Sequence, residues 1–177
     1  MKFAKAVLAV SISVACVHAA AILPVPTTVP VGSGTHAIVT DPLLHRAFVS
    51  NRDSGTVSII DPNKHEVIGK VTFEIPGLRR EAIQPVGIGM TKDDKTAFVA
   101  LGPANRIAVV DVASRKVTKY LLVGQRVWHM AFTPDEKYLL TTNGVSNDVS
   151  VIDVAAQKVI KTIQVGELPW GITISPQ

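Results

Sequence analysis

Residues 127–153 read VWHMAFTPDEKYLLTTNGVSNDVSVID, and two other stretches superpose on them without a gap. THAIVTDPLLHRAFVSNRDSGTVSIID runs from Thr35 to Asp61, and PVGIGMTKDDKTAFVALGPANRIAVVD runs from Pro85 to Asp111. Phe48, Phe98 and Leu140 each stand 13 residues before the closing aspartate, and Ala37, Gly87 and His129 each stand 24 before it. A fourth copy starts at Pro169 as PWGITISPQ. The period is 42 residues from the second copy to the third and from the third to the fourth. It is 50 from the first to the second, because eight extra residues sit between Val71 and Gln84. Self-similarity at such a period marks a repeat architecture and takes precedence over any local assignment.

Each unit holds four apolar strand signals divided by turn chemistry. In the third copy they are His129–Thr133, Tyr138–Thr142, Val149–Asp153 and Lys158–Val165. Pro134-Asp135-Glu136-Lys137 and Val154-Ala155-Ala156-Gln157 separate them. Proline pre-sets φ in such turns, and aspartate bonds nearby backbone N–H groups. No helix-length 3.6-residue pattern occurs after the first twenty residues. Four short antiparallel strands every forty-odd residues predict an all-β fold built of four-stranded propeller blades. The third strand, such as Val57-Ser58-Ile59-Ile60 or Ile107-Ala108-Val109-Val110, is rich in apolar side chains on both alternations. A strand in a blade sandwiched between two others requires that pattern, whereas a one-sided sheet does not. The expected blades cover about 33–75, 84–124 and 126–166, with a partial one at 168–177. Two loose strands flank them: Thr28-Val29-Pro30-Val31-Gly32, which matches a last strand, and Gly171–Ser175, which matches a first strand.

Composition agrees with a packed chain. Of 177 residues, 47% are apolar and 18% charged, which excludes a disordered tail. Aromatics are only 5%, so the core must be built from Val, Ile, Leu and Ala. Lys2 and Lys5, the apolar run Ala6 to Val17 and the cluster Ala19-Ala20-Ala21 have the layout of a secretory signal peptide over residues 1–20. Cleavage is expected near Ala19–Ala21, with residues 21–177 as the mature, periplasmic or secreted part. An uncleaved anchor is the competing reading of the uncharged stretch Ala6 to Val25, and Ser13 is a poor match to a lipoprotein signal at Cys16. Cys16 is the single cysteine, so no disulfide framework exists and a cleaved chain has none. Without Lys2 and Lys5 the balance is 16 basic against 14 acidic residues. That small excess gives no electrostatic case for nucleic acid or an anionic membrane as partner.

Phe48-Val49-Ser50-Asn51 followed by Thr56-Val57-Ser58-Ile59-Ile60-Asp61 resembles the YVTN repeat of bacterial and archaeal β-propellers. Within Val71 to Pro176 the runs KVTFEIPG, QPVGIGMTKDDKTAFVALGPANRIAVVD, YLLVGQRVW, AFTPDEKYLLTTNGVSNDVSVIDVAAQKVIK and ELPWG are similar to the carboxy-terminal blades of one subgroup. That subgroup is the exported propellers associated with pyrroloquinoline quinone (PQQ)-dependent alcohol catabolism. The resemblance implies a periplasmic, non-catalytic binding or scaffold protein accompanying quinoprotein alcohol or aldehyde oxidation. Its protein partner would be a quinoprotein dehydrogenase or a cytochrome. The chain departs from the family in length, since such propellers have about seven blades. If each open flank of a three-blade arc exposed about 500 Å², the forgone burial would be on the order of 12 kcal/mol per face. A homodimer that pairs the open faces and completes the propeller is the expectation that follows.

The first strand of each blade lines the central channel in a propeller. Loops between strands two and three, and from the fourth strand to the next blade, open on one face. Here that face collects Asn51–Gly55, Leu101–Arg106 and Asn143–Asp148 with Glu74–Gln84, Gly124–Val127 and Gly166–Pro169. Arg79, Arg80 and Glu81 in the insertion form either a solvated turn or a docking loop for a partner. Trp128 and Trp170 occupy equivalent places, with Arg126 two residues before the former; His36 and Val86 take that place in the other copies. These tryptophans either pack blade against blade or form a rim suited to a flat anionic ligand. His129 stands where the other copies have Ala37, Gly87 and Gly171, as a channel residue or a ligand to a metal or haem. No histidine pair shows metal-binding spacing, and no motif names a cofactor, PQQ and haem included. Asp61, Asp111 and Asp153 read as turn formers. G-x-S-x-G, phosphate-binding glycine loops and H-E-x-x-H are missing, so the chain reads as no enzyme. A lactonase-like hydrolase and a single-stranded nucleic-acid binder are the alternatives. The expected contact residues are Arg79, Arg80, Arg126, Trp128, His129 and Trp170.

Overall fold

The computed structural model describes residues 28–41, 43 and 45–175. The leader, its cleavage site and Cys16 lie outside the described residues, as do 176 and 177. Twelve strands form three separate four-stranded antiparallel sheets. The first blade contains β1 (Thr35–Asp41), β2 (Arg46–Asn51), β3 (Thr56–Asp61) and β4 (Glu66–Thr72). The second contains β5 (Ile88–Met90), β6 (Thr96–Ala100), β7 (Arg106–Asp111) and β8 (Lys116–Leu122). The third contains β9 (Val127–Phe132), β10 (Tyr138–Asn143), β11 (Asp148–Asp153) and β12 (Lys158–Gln164). In each sheet the strands pair in chain order, and no sheet closes on itself into a barrel. One 3-10 turn, Arg80–Ala82, is the only helical segment among the described residues.

Turn chemistry sets the boundaries. The closing aspartates cap the turns between third and fourth strands, as the sequence indicates. Asp61 accepts from the backbone N–H of Asn63 and Lys64, Asp111 from Ser114, and Asp153 from Ala156. Each turn ends on a left-handed residue: His65, Arg115 and Gln157, with φ of 53°, 61° and 49°. A register shift follows in the same place of every blade, between Ile59 and Ile60, Val109 and Val110, and Val151 and Ile152. Such bulges increase local twist and turn the outer strand away from its neighbour.

Packing runs from blade to blade. Phe48, Val57 and Ile59 of the first sheet meet Ala97, Val99, Ala108 and Val110 of the second in one core cluster. Phe98, Ala100, Ile107 and Val109, on the opposite alternation, meet Met130, Leu139 and Ile152 of the third sheet in another. The second sheet is therefore buried on both faces, which is why Ala97 to Ala100 and Ile107 to Val110 are apolar at every position. The insertion joins this core rather than standing free of it. Phe73, Ile75 and Ile83 are buried in the first cluster, while Leu78 to Glu81 remain exposed.

Residues 28–32 and 171–175 form no strand. A strand needs a ladder partner for its alternate N–H and C=O groups. The middle strands that would supply it to these two segments are not among the described sheets.

The two-faced burial makes a contrast that urea denaturation can check. Phe98→Ala is expected to cost about 3–5 kcal/mol, as a fully buried ring lost from a packed core. Ile38→Ala, at a side chain 66% exposed on the outer face of the first blade, is expected to stay within about 0.5 kcal/mol. Equal costs would contradict the blade-on-blade arrangement.

Candidate functional site at the channel mouth

Neighbouring first strands approach one another in two ways, and a single position decides which. In the first blade, the Ser50 hydroxyl lies between strands: it receives the N–H of Ala37 at 2.9 Å and donates to the Val86 carbonyl of the second blade at 2.7 Å. In the third blade, Thr142 occupies the same place. It receives the His129 N–H at 3.2 Å and donates to the Trp170 carbonyl at 2.9 Å. The second blade has Ala100 there, without a hydroxyl, and its Gly87 N–H donates directly to the Trp128 carbonyl at 3.0 Å. A Cβ on Gly87 would lie 2.6 Å from that carbonyl oxygen, so only glycine admits the approach. The bond from Thr142 to Trp170 places the C-terminal segment against the third blade as the second blade's first strand sits against the first.

This spacing gathers one residue from each of three copies. His36 from β1, Trp128 from β9 and Trp170 from the C-terminal segment meet at one end of the sheets. The His36 and Trp128 rings are within 17° of parallel, with centroids 6.2 Å apart. Trp170 stands edge-on to both, 6.4 Å from each at 84° and 79°. Together with Gly87, His129, Gly171 and Ile172 they line a cavity of about 540 Å³. Trp128 lies so close to Gly144 that a Cβ there would come 2.7 Å from its indole nitrogen. Its position is thus fixed by the loop after β10.

Arg126 is held over the Trp128 ring by an unusual backbone. Its φ is 57°, a left-handed value that Gly34 and Leu168 share at the equivalent positions, with 65° and 49°. Two side chains pin that conformation: Asn105 Oδ1 accepts from Arg126 N–H at 2.8 Å, and Asn147 Oδ1 accepts from Leu168 N–H at 2.9 Å. The guanidinium then lies over the Trp128 ring, 4.7 Å from its centroid. Such a cation over an indole face is attracted by the ring's quadrupole. Arg126 forms no ion pair among the described residues. Arg52, on the neighbouring loop, pairs with Asp53 at 2.8 Å.

The two loop types meet on this face, as the repeat implies. Arg52 N–H donates to the Gly34 carbonyl and Gly144 N–H to the Arg126 carbonyl, at 2.8 and 3.0 Å. Arg126, Trp128, His129 and Trp170 come together. Trp128 does both things weighed from sequence, packing beside the core between the second and third blades while forming the rim. Trp170 is 62% exposed and belongs to the rim. His129 is exposed at the cavity's edge, and among the described residues no three His, Cys, Asp or Glu side chains gather as a metal-binding group.

Arg79 and Arg80 are not part of this cluster. Both are exposed on the insertion. Arg80 donates to the Ser54 carbonyl at 3.4 Å and lines a separate hollow of about 550 Å³ with Phe73, Ile75 and Leu78. The loop's length carried them outward over the first inter-blade core. His36 is the residue that sequence reasoning left out of the contact set. Its equivalence with Trp128 and Trp170 was the available signal.

Comparison with known proteins follows the architecture. No protein-family model matches the chain, and no curated protein does. Among solved structures, Kuenenia stuttgartiensis hydrazine synthase is similar over 85% of this chain and 40% of that one, at 21% identity and a TM-score of 0.68. The structure of U3-55K is similar at 14% identity and a TM-score of 0.62. The crystal structure of the RRP9 WD40 repeats is similar at 15% identity and the same TM-score. The latter two each cover 73% of this chain. The chain thus spans only about two-fifths of the length of these relatives. At such identities the likeness shows the fold alone, a partial propeller with WD40-like blades.

His36 supplies a measurable mark of the cluster. Partial burial, then the nearby charges of Arg52 and His129, hold its imidazole below the usual 6.5. A histidine depressed in the folded state costs stability as pH falls through the window below 6.5, because the unfolded chain takes up the proton more readily. NMR titration of the His36 ring is expected to give a pKa below 6.5 that rises in Arg52→Gln. A value at or above 6.5 in the parent chain would contradict the packed cluster.

Proposed function

We propose that this chain is an exported, non-catalytic β-propeller that binds and scaffolds beside periplasmic PQQ-dependent alcohol or aldehyde oxidation. Its protein partner is a quinoprotein dehydrogenase or a cytochrome. The observation that carries the binding role is the channel mouth. Three ring walls line a concavity of about 540 Å³, the size range of small-molecule sites, and the Arg126 guanidinium lies on the ring of one of them, Trp128. Such an arrangement holds a ligand by faces and charge. The exported setting rests on the leader-like residues 1–20, and the PQQ context rests on the resemblance of Val71 to Pro176 to that subgroup.

The insertion supports the partner half of the reading. Leu78, 37% exposed, stands beside Arg79 and Arg80 over the hollow walled by Phe73 and Ile75. An apolar contact flanked by two cations suits a protein surface with a complementary acidic patch.

Surface plasmon resonance with purified mature chain against a purified PQQ-dependent alcohol dehydrogenase and its cytochrome tests the proposal. Saturable binding of one of them is expected, strengthened at low salt and weakened about tenfold or more by the double variant Arg79→Glu, Arg80→Glu. Absence of binding to both would overturn the reading. So would turnover of a lactone panel by the chain alone, abolished in His129→Ala.

A further inference from the structure

The channel mouth selects among ligands by two independent features, shape and charge. At 6.2 Å between centroids, His36 and Trp128 are not a closed stack, for which atoms would be in contact at about 3.5–4.0 Å. Whether by spacing or by slip, each ring leaves most of its face uncovered by the other. Trp170 closes a third side at right angles, on a segment that has space around it: Gly166 and Gly171 meet nothing within 4 Å of an added Cβ. Flat, open ring faces reward a flat conjugated ligand by dispersion and offset stacking.

Three aromatic walls are also how proteins hold quaternary ammonium groups. The charges here oppose that occupant. Arg126 lies on the Trp128 face without a carboxylate partner among the described residues. Arg52 and Asp53 pair with each other and largely cancel. The unpaired guanidinium of Arg126 therefore favours an anion beside the rings.

We propose that the cavity between His36, Trp128 and Trp170 binds a planar aromatic carboxylate, its rings on the two indoles and its carboxylate against the Arg126 guanidinium. This deepens the reading of the chain as a binding propeller and stands apart from the partner contact on the insertion. The isolated chain binds such a ligand with no dehydrogenase present, so loss of one activity leaves the other measurable.

The only two tryptophans of the chain are both in the cavity, which makes fluorescence a direct reporter. The probes are naphthalene-2,6-dicarboxylate, the uncharged 2,6-bis(hydroxymethyl)naphthalene, adipate and benzyltrimethylammonium. The dicarboxylate is expected to quench saturably, with the diol and adipate each about tenfold weaker or worse, and the ammonium weakest. Arg126→Gly suits the left-handed backbone, since Gly34 stands at the equivalent place, and is expected to weaken the dicarboxylate about tenfold without unfolding the chain. Trp170→Ala, at an exposed site, is expected to do the same while Trp128 still reports. The proposal is overturned if the ammonium or the diol binds as tightly as the dicarboxylate. It is also overturned if dicarboxylate affinity is unchanged in both variants.

Discussion

Phe98 and Val110 belong to the same sheet, point to opposite sides of it, and are both buried. Everything else in the molecule depends on that double burial. A four-stranded fan with one wet face would be a marginal unit, because its apolar area is too small to offset the ordering of its backbone. Stacked flank to flank, each fan covers the next. The middle one loses both faces to its neighbours, and its short side chains, Ala97, Ala100 and Ala108, let the sheets come close.

The same stacking fixes the mouth of the channel. Neighbouring first strands are tied through a hydroxyl at Ser50 and Thr142, and directly through Gly87 where Ala100 leaves no hydroxyl. These contacts hold the carbonyls of Val86, Trp128 and Trp170 in equivalent places, so the side chains at the start of the first strands converge. Asn105 and Asn147 then force the preceding residue left-handed, which brings Arg126 back over its own tryptophan. The site is thus a by-product of the repeat, decorated at four equivalent positions with His36, Val86, Trp128 and Trp170.

Much of this was legible before any coordinates. The 42-residue period, the aspartate-capped turns and the two-sided apolar pattern of Ile107 to Val110 are local signals, and they predicted strands and flank packing together. The rim residues on the third and fourth copies were also readable, because repeat equivalence reports position directly. What the sequence hid were contacts across the channel and deviations of the backbone. Nothing near His36 announces that its ring would face Trp128 from another blade. No glycine marks Arg126 as left-handed, because a distant asparagine imposes that conformation. The insertion is a different case: its charged tip is exposed, Phe73, Ile75 and Ile83 around it belong to the core, and Arg79 and Arg80 lie apart from the aromatic rim.

The middle fan is the keystone of the stack, and native-state hydrogen exchange tests that most directly. Amides of β6 and β7 are expected to exchange last, about tenfold or more slower than those of β2, β3, β10 and β11, whose sheets each have an open flank. Fastest exchange in β6 and β7, or one uniform rate across the three sheets, would contradict the claim that the outer blades depend on the middle one.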